Sequence, residues 1–231
     1  MILVPSRIAV VTGGNKGIGL EVCCQLAANG ITVVLTARDE KRGSEAVEKL
    51  QKAGLSEIIF YQLDVTDAPN IGRLADFIKA RFGKLDILVN NAAVIGVEYI
   101  HDPVDLFNNE ELKQELNDVE NLTEERLDEV LARFLKHFEV GAVESQGCPV
   151  AFSAYKVAMT AMNAYSRILA RRHPELRVNC AHPGFVKTDI TRNSGLLPPA
   201  GGAGYVTKVA LLPAGGPTGV YFTLGAEASF F

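Results

Sequence analysis

The chain has little of what would suit it to extracellular, membrane or nucleic-acid work. Its four cysteines, Cys23, Cys24, Cys148 and Cys180, form neither a spaced framework nor a Cys-x-x-Cys pair, so no disulfide scaffold or thiolate metal site is implied. The four histidines, His101, His137, His173 and His182, are equally scattered. None has a partner at metal-ligand spacing, and no metal is expected. No apolar run approaches the roughly eighteen residues of a membrane span, and Pro5 and Arg7 interrupt the start too early for a secretory signal. Excess charge is also lacking: a formal net charge of -4 and a pI near 5.6 leave no basic footprint for general nucleic-acid binding. The expectation is a soluble, cytoplasmic protein whose partner is a small molecule, with neither nucleic acid nor membrane involved.

What the chain does have is apolar material in short, regular pieces. Its 231 residues are 48% hydrophobic and 22% charged, enough for a sizeable core and too balanced for a disordered polyelectrolyte. Residues 7–12, 31–36, 58–63 and 85–90 are continuous apolar runs, the pattern of strands buried on both faces of a parallel sheet. Between them lie helical patterns over 18–29, 41–53 and 71–82. These end at Gly30, Gly54 and Gly83, where a helix C-terminus favours a left-handed residue. The alternation predicts an α/β fold, a doubly wound parallel Rossmann sheet with helices on both faces. Later strand candidates are 176–181 and 219–223, bracketing a loop rich in Gly and Pro at 193–204. A single domain over 1–231 is expected. The best amphipathic helix is predicted at 123–141, capped by Thr123, with Glu124 and Glu125 at the positive end of its dipole. Leu127, Val130, Leu131, Phe134, Leu135 and Phe138 recur at helical spacing, and Gly141 stops it.

Thr12-Gly13-Gly14-Asn15-Lys16-Gly17-Ile18-Gly19 follows the first predicted strand and opens the first helix. In that context glycines let the backbone approach a pyrophosphate, and the helix N-terminus supplies amides and positive dipole. A Walker loop is excluded because no Gly-Lys-Ser/Thr follows. After the second strand, where an NAD site places an acid for the ribose hydroxyls, the chain has Thr36-Ala37-Arg38. With Lys16 nearby in the glycine loop, this favours the 2′-phosphate of NADPH. Asp64 and Val65, just past the third strand, fall where the adenine belongs.

These residues carry a family resemblance. The glycine turn, Leu63 to Asp67 (LDVTD), Asn90-Asn91-Ala92-Ala93, Ser153-Ala154-Tyr155, and Pro183-Gly184-Phe185-Val186-Lys187-Thr188-Asp189 together resemble the short-chain dehydrogenase/reductase family. Within it the chain is most similar to the plant carbonyl-reductase branch of salutaridine and menthone reductases. That branch carries an acidic helical insertion before its active tyrosine, which 117–147 resembles. The resemblance implies hydride transfer from NADPH to a small hydrophobic ketone or aldehyde. It assigns Gly13, Asn15, Lys16, Gly17, Ile18 and Gly19 to phosphates and ribose, Arg38 to the 2′-phosphate, and Asp64 and Val65 to adenine. Asn90 and Ala92 would line the nicotinamide side, and Pro183, Gly184 and Thr188 its carboxamide. Tyr155 would give the carbonyl oxygen its proton. The insertion resembles the monomeric branch of the family, so a monomer is implied.

The chain also departs from that pattern. The family has a lysine four residues after its tyrosine, on the same helical face, where the ammonium lowers the tyrosine pKa and grips the nicotinamide ribose. Position 159 here is methionine, and Lys156 lies about 100° around the helix from Tyr155. An unassisted tyrosine titrates near ~10, so it holds its proton at neutral pH without a relay. The family's catalytic serine, on its fifth strand, is missing: between Asn91 and Tyr155 the only serines are Ser145 and Ser153, and neither follows a buried β-branched run. The long helix before that strand, with its catalytic asparagine, is missing too. A parallel strand needs a crossover of about a dozen residues, and 94–108 cannot supply both strand and helix. Six sheet strands are therefore expected, with the place between the fourth and sixth family strands empty or improvised from 94–100. Exposed edges and apolar faces would follow, lowering stability and promoting association. Two readings stay open: an NADPH-dependent reductase impaired by the missing serine and lysine, and a catalytically silent NADP(H)-binding or interaction protein from a shortened transcript.

Overall fold

Two runs, Ile8–Val11 and Thr32–Ala37, are buried along their whole length, and the first half of the fold is built on them. The computed structural model describes residues 7–94, 110–118, 120–142 and 153–229. Its contacts divide the chain into two units, Met1–Val94 with Pro183–Leu212, and Ile95–His182 with Pro213–Phe231.

The first unit contains β1 (Ile8–Val11), α1 (Gly17–Ala28), β2 (Thr32–Ala37), α2 (Glu40–Lys52), β3 (Ile58–Gln62), α3 (Ala68–Phe82) and β4 (Ile87–Val89). The four strands form a parallel sheet in the order β3-β2-β1-β4, with Val10 paired to Val34 and to Leu88. Alternate strand residues face opposite layers. Ala9, Val11, Val33 and Leu35 pack with Val22, Cys23 and Leu26 of α1 and Ala46, Val47 and Leu50 of α2. Val10 and Val34 face the other way, onto Leu74 and Ile78 of α3. Both sheet faces are thus covered, which is why β1 and β2 read as unbroken apolar runs. The predicted stops hold: Gly30, Gly54 and Gly83 have φ of 73°, 92° and 74°. Among the described residues β4 is the sheet's edge, and its Leu88 is 54% exposed.

The expected loop at 193–204 is corrected in its second half. Residues Pro199–Ala210 form a helix, numbered α7 because three helices of the second unit precede it in sequence. Gly202 in it serves close approach rather than turning, since a Cβ there would lie 2.5 Å from Val186 Cγ2. Ala200 O accepts a 2.9 Å hydrogen bond from Gln25 Nε2 of α1, fixing the two helices together.

The second unit holds α4 (Glu110–Asn117), α5 (Glu124–Glu139), α6 (Ser153–Arg172), β5 (Cys180–His182), β6 (Tyr221–Thr223) and β7 (Ala226–Ala228). The helix predicted from its amphipathic stripe is α5. Thr123 Oγ1 accepts from Arg126 N at 3.2 Å, and Leu127, Val130 and Phe134 pack with Leu116, Leu122, Val157, Ala161, Ala164 and Ile168. Leu135 and Phe138, read as part of that stripe, are exposed. Arg126 binds Glu115 and, at 2.7 Å, Glu129; Arg172 binds Glu124 at 2.7 Å; and Arg171 donates to Leu122 O at 2.7 Å. The buried Arg167 donates to Leu116 O and Asn117 Oδ1, so α4 and α5 are tied to α6 by charge as well as packing.

Among the described residues the strands number seven rather than the expected six. All six predicted runs contain a strand, with 176–181 shifted to Cys180–His182, and β7 is a seventh. β5 and β6 pair in parallel, and β7 returns antiparallel on β6 through Leu224 and Gly225, which have φ of 51° and 75°. Among the described residues the strands lie in a four-stranded and a three-stranded sheet. Apart from Val94 itself, the 94–100 segment lies outside the described residues. No helix among the described residues is long and apolar enough to cross a membrane.

Candidate functional site

β1 delivers the chain into a turn that only small residues can make. Gly14 N donates to Thr36 O at 2.8 Å, which sets the turn beside the end of β2. Gly13 and Gly17 have φ of 64° and 56°, in the left-handed region. A Cβ on Gly13 would meet Ala92 Cα at 3.0 Å. One on Gly19 would meet Asn91 Nδ2 at 2.4 Å and Gly13 O at 2.5 Å, and one on Gly17 would touch Thr188 Cγ2 at 3.4 Å. The glycine turn, the segment after β4 and the loop after β5 are thus in close contact, and the structure brings Gly13, Gly17, Gly19, Ala92 and Thr188 together.

Polar bonds hold that contact. Thr12 Oγ1 accepts from the amides of Asn91 (2.9 Å) and Ala92 (3.0 Å), and Asn91 Nδ2 donates to Thr12 O (2.9 Å) and Gly13 O (3.3 Å). Asn91 is the residue that sequence reading passed over, in favour of its exposed neighbour Asn90 and of Ala92. No local signal marks it, because its side chain satisfies carbonyls 78 and 79 positions away in the chain.

α1 begins at this turn, with Lys16 as its extended N-cap residue. Lys16 makes no side-chain cap, and the first turn carries no acid, so the amides and positive dipole end suit an anion. Asn15 is half-buried, and Ile18 packs on the core below. The Lys16 side chain is engaged, its Nζ lying 2.6 Å from Asp189 Oδ2. That contact holds the Asp189 carboxyl below its usual range, and the charge of Arg42 adds to the effect.

At the end of β2, Ala37 is buried and Arg38 is exposed, with its carbonyl accepting from Gln62 Nε2 at 2.9 Å. Asp39 caps α2, accepting from Arg42 N at 2.9 Å. Asp64 is occupied internally: its carboxylate accepts from Thr66 N (2.9 Å) and Thr66 Oγ1 (2.7 Å). Those bonds, together with the charge of Arg38, hold its carboxyl below the usual range. Val65 is exposed beside it.

Pro183, Gly184 and Thr188 are half-buried in a tightly folded loop. Thr191 Oγ1 donates to Val186 O at 2.7 Å and accepts from Thr188 N at 3.0 Å, and Leu197 N donates to Phe185 O at 3.0 Å.

Tyr155 belongs to the second unit, in the first turn of α6, and is 39% exposed. Lys156 follows it directly and Met159 stands one turn on. Ser153 opens the helix, while Ser145 lies outside the described residues. Cys23 is sealed in the core and burial pushes its thiol far up, which removes it from chemistry. No cluster of metal-ligating side chains occurs among the described residues.

The sequence profile described as short chain dehydrogenase matches residues 7–196. The chain belongs to the short-chain dehydrogenase/reductase family. Members of this family are nicotinamide-dependent oxidoreductases, and the doubly wound α/β arrangement above is their fold. The chain is 39% identical to Short-chain dehydrogenase/reductase 1 of Saponaria officinalis, over 99% of this chain and 97% of that relative. That alignment runs to 294 positions against 231 residues here, so more than sixty positions of this reductase relative have no counterpart in the chain. The structure of salutaridine reductase from Papaver somniferum superposes with a TM-score of 0.87 at 36% identity, covering 94% of this chain and 99% of that one. Menthone neomenthol reductase from Mentha piperita gives 0.81 at 34% identity, covering 95% and 99%.

Proposed function

We propose that this short-chain dehydrogenase/reductase is an NADPH-dependent carbonyl reductase that converts a small hydrophobic ketone or aldehyde to an alcohol. The observation that carries the reading is the glycine turn: left-handed at Gly13 and packed too closely for a Cβ at Gly19, opening onto a helix N-terminus with no internal cap. A pyrophosphate fits that place by charge and by space. Gly13, Asn15, Lys16, Gly17, Ile18 and Gly19 hold phosphates and ribose, and Asn91 fixes the turn they form. Ala37 and Arg38, standing where an acid would select NADH, favour the phosphorylated dinucleotide. Val65 offers an apolar surface to adenine, while Asp64 shapes the turn beneath it. Asn90, Ala92, Pro183, Gly184 and Thr188 complete the nicotinamide end.

Bound NADPH supplies hydride to the carbonyl carbon. Tyr155 holds the proton that the carbonyl oxygen takes as its charge develops. With methionine at 159 the ammonium that the family places one turn beyond the tyrosine is replaced by a thioether, so the proton is delivered without that lysine's assistance. Turnover is therefore slow, and the work is done in the cytoplasm by a monomer. The test is NADPH oxidation by the purified protein against a panel of ketones. Ketone-dependent oxidation lost in Tyr155→Phe supports the reading. NADPH binding with no ketone-dependent oxidation replaces it with a silent dinucleotide-binding protein.

A further inference from the structure

The ends of β1 and β2 gather charge of both signs. Lys16 leaves the glycine turn, Arg38 follows β2, and Arg42 stands one turn into α2. Facing them are Asp39, with one oxygen 3.8 Å from Arg42 Nε, and Asp189, with one oxygen 2.6 Å from Lys16 Nζ. The Lys16–Asp189 pair joins residues 173 positions apart and is open to water, its side chains being 59% and 69% exposed. The backbone around Asp189 is fixed by other groups. Arg192 N donates to Asp189 O at 3.1 Å, Asn193 N donates to Thr188 O at 2.9 Å, and Thr191 Oγ1 bridges Val186 and Thr188. The Asp189 carboxylate takes no part in those bonds, so the loop positions it without depending on it.

The two dinucleotides affect this pair differently. A ribose 2′-hydroxyl is neutral and leaves Lys16 with its carboxylate. A 2′-phosphate is a dianion at neutral pH that must draw Lys16 away and tolerate the released carboxylate nearby. We propose that Asp189 is a specificity-determining residue for the dinucleotide, its carboxylate holding Lys16 until a 2′-phosphate takes it, so that Asp189 tempers the preference for NADPH over NADH. This inference rests on the dinucleotide reading above. An exposed pair is a weak competitor, so removing its carboxylate is worth about a three- to fivefold gain in NADPH affinity.

Calorimetric titration of the full chain with NADPH and with NADH tests it, in wild type, Asp189→Asn, Asp189→Glu and the Lys16→Gln/Asp189→Asn double variant. The expected result is an NADPH-to-NADH affinity ratio raised about threefold or more by Asp189→Asn, restored by Asp189→Glu, and no longer raised when Lys16 is also replaced. A variant in which the loop had loosened would lose both dinucleotides alike. That result, or an unchanged ratio, overturns the role of Asp189 while leaving the dinucleotide reading intact. Wild-type protein that binds neither dinucleotide overturns both.

Discussion

The two units of this chain have fared differently. In the first, the parts of the proposed dinucleotide site support one another: glycines that admit the backbone of Ala92 and the side chain of Thr188, an amide that pins the turn, and cations beside the end of β2. In the second, Tyr155 stands on α6 with methionine one turn beyond it, and the helices around it are held by their own core and by arginine ties. On the proposed reading, dinucleotide binding and proton delivery are separate requirements on a sequence. One can stay complete while the other is altered, because they draw on different elements.

The comparison breaks first at its strongest point. Gly19→Ala places a methyl about 2.5 Å from Gly13 O, closer than real atoms approach. The expected outcome is dinucleotide binding weakened about ten- to hundredfold, the usual cost of overpacking, with the far-ultraviolet helical signal kept. Wild-type affinity in that variant would show that the turn is not where the dinucleotide sits.

A smaller effect sharpens the other side. Met159→Lys places a cation one turn from Tyr155, while the serine expected to be missing from the family's fifth strand is not replaced. Ketone-dependent turnover is expected to rise less than about tenfold, well under what a complete acid–base pair contributes. A gain of about a thousandfold would mean that the lysine was the only loss that mattered.

The first unit was also the legible one. β1 and β2 could be read because strands buried on both faces must be apolar throughout, and the helix ends because Gly30, Gly54 and Gly83 adopt a conformation other residues resist. α7 was hidden for a related reason: Gly201, Gly202 and Gly204 look like loop composition, yet Gly202 is there because Val186 leaves no space for a side chain. β7 gave no signal at all, since Ala226–Ala228 is short, exposed and held by pairing with β6 alone. In the site, motif residues near the glycine turn were readable from local spacing. The Asn91 pin and the Lys16–Asp189 pair were not, because each depends on a contact across many residues of chain.

The smallest expected effect concerns pH. Asp64 is held below the usual carboxylate range chiefly by its bonds from Thr66. A depressed folded-state pKa gives stability that is present above the unfolded value and lost as pH falls through the folded one. Urea melts from neutral to acid pH are therefore expected to show a slightly shallower acid loss in Asp64→Asn than in wild type. Identical slopes would mean that the turn does not need the charged form.

The most direct measurement is a titration of the purified wild-type chain with NADPH and NADH side by side. Saturable one-to-one binding, with NADPH tighter by about tenfold through its added charge contacts, is the expected result. Absence of binding, or equal affinity for the two, would contradict an intact and phosphate-selective dinucleotide half.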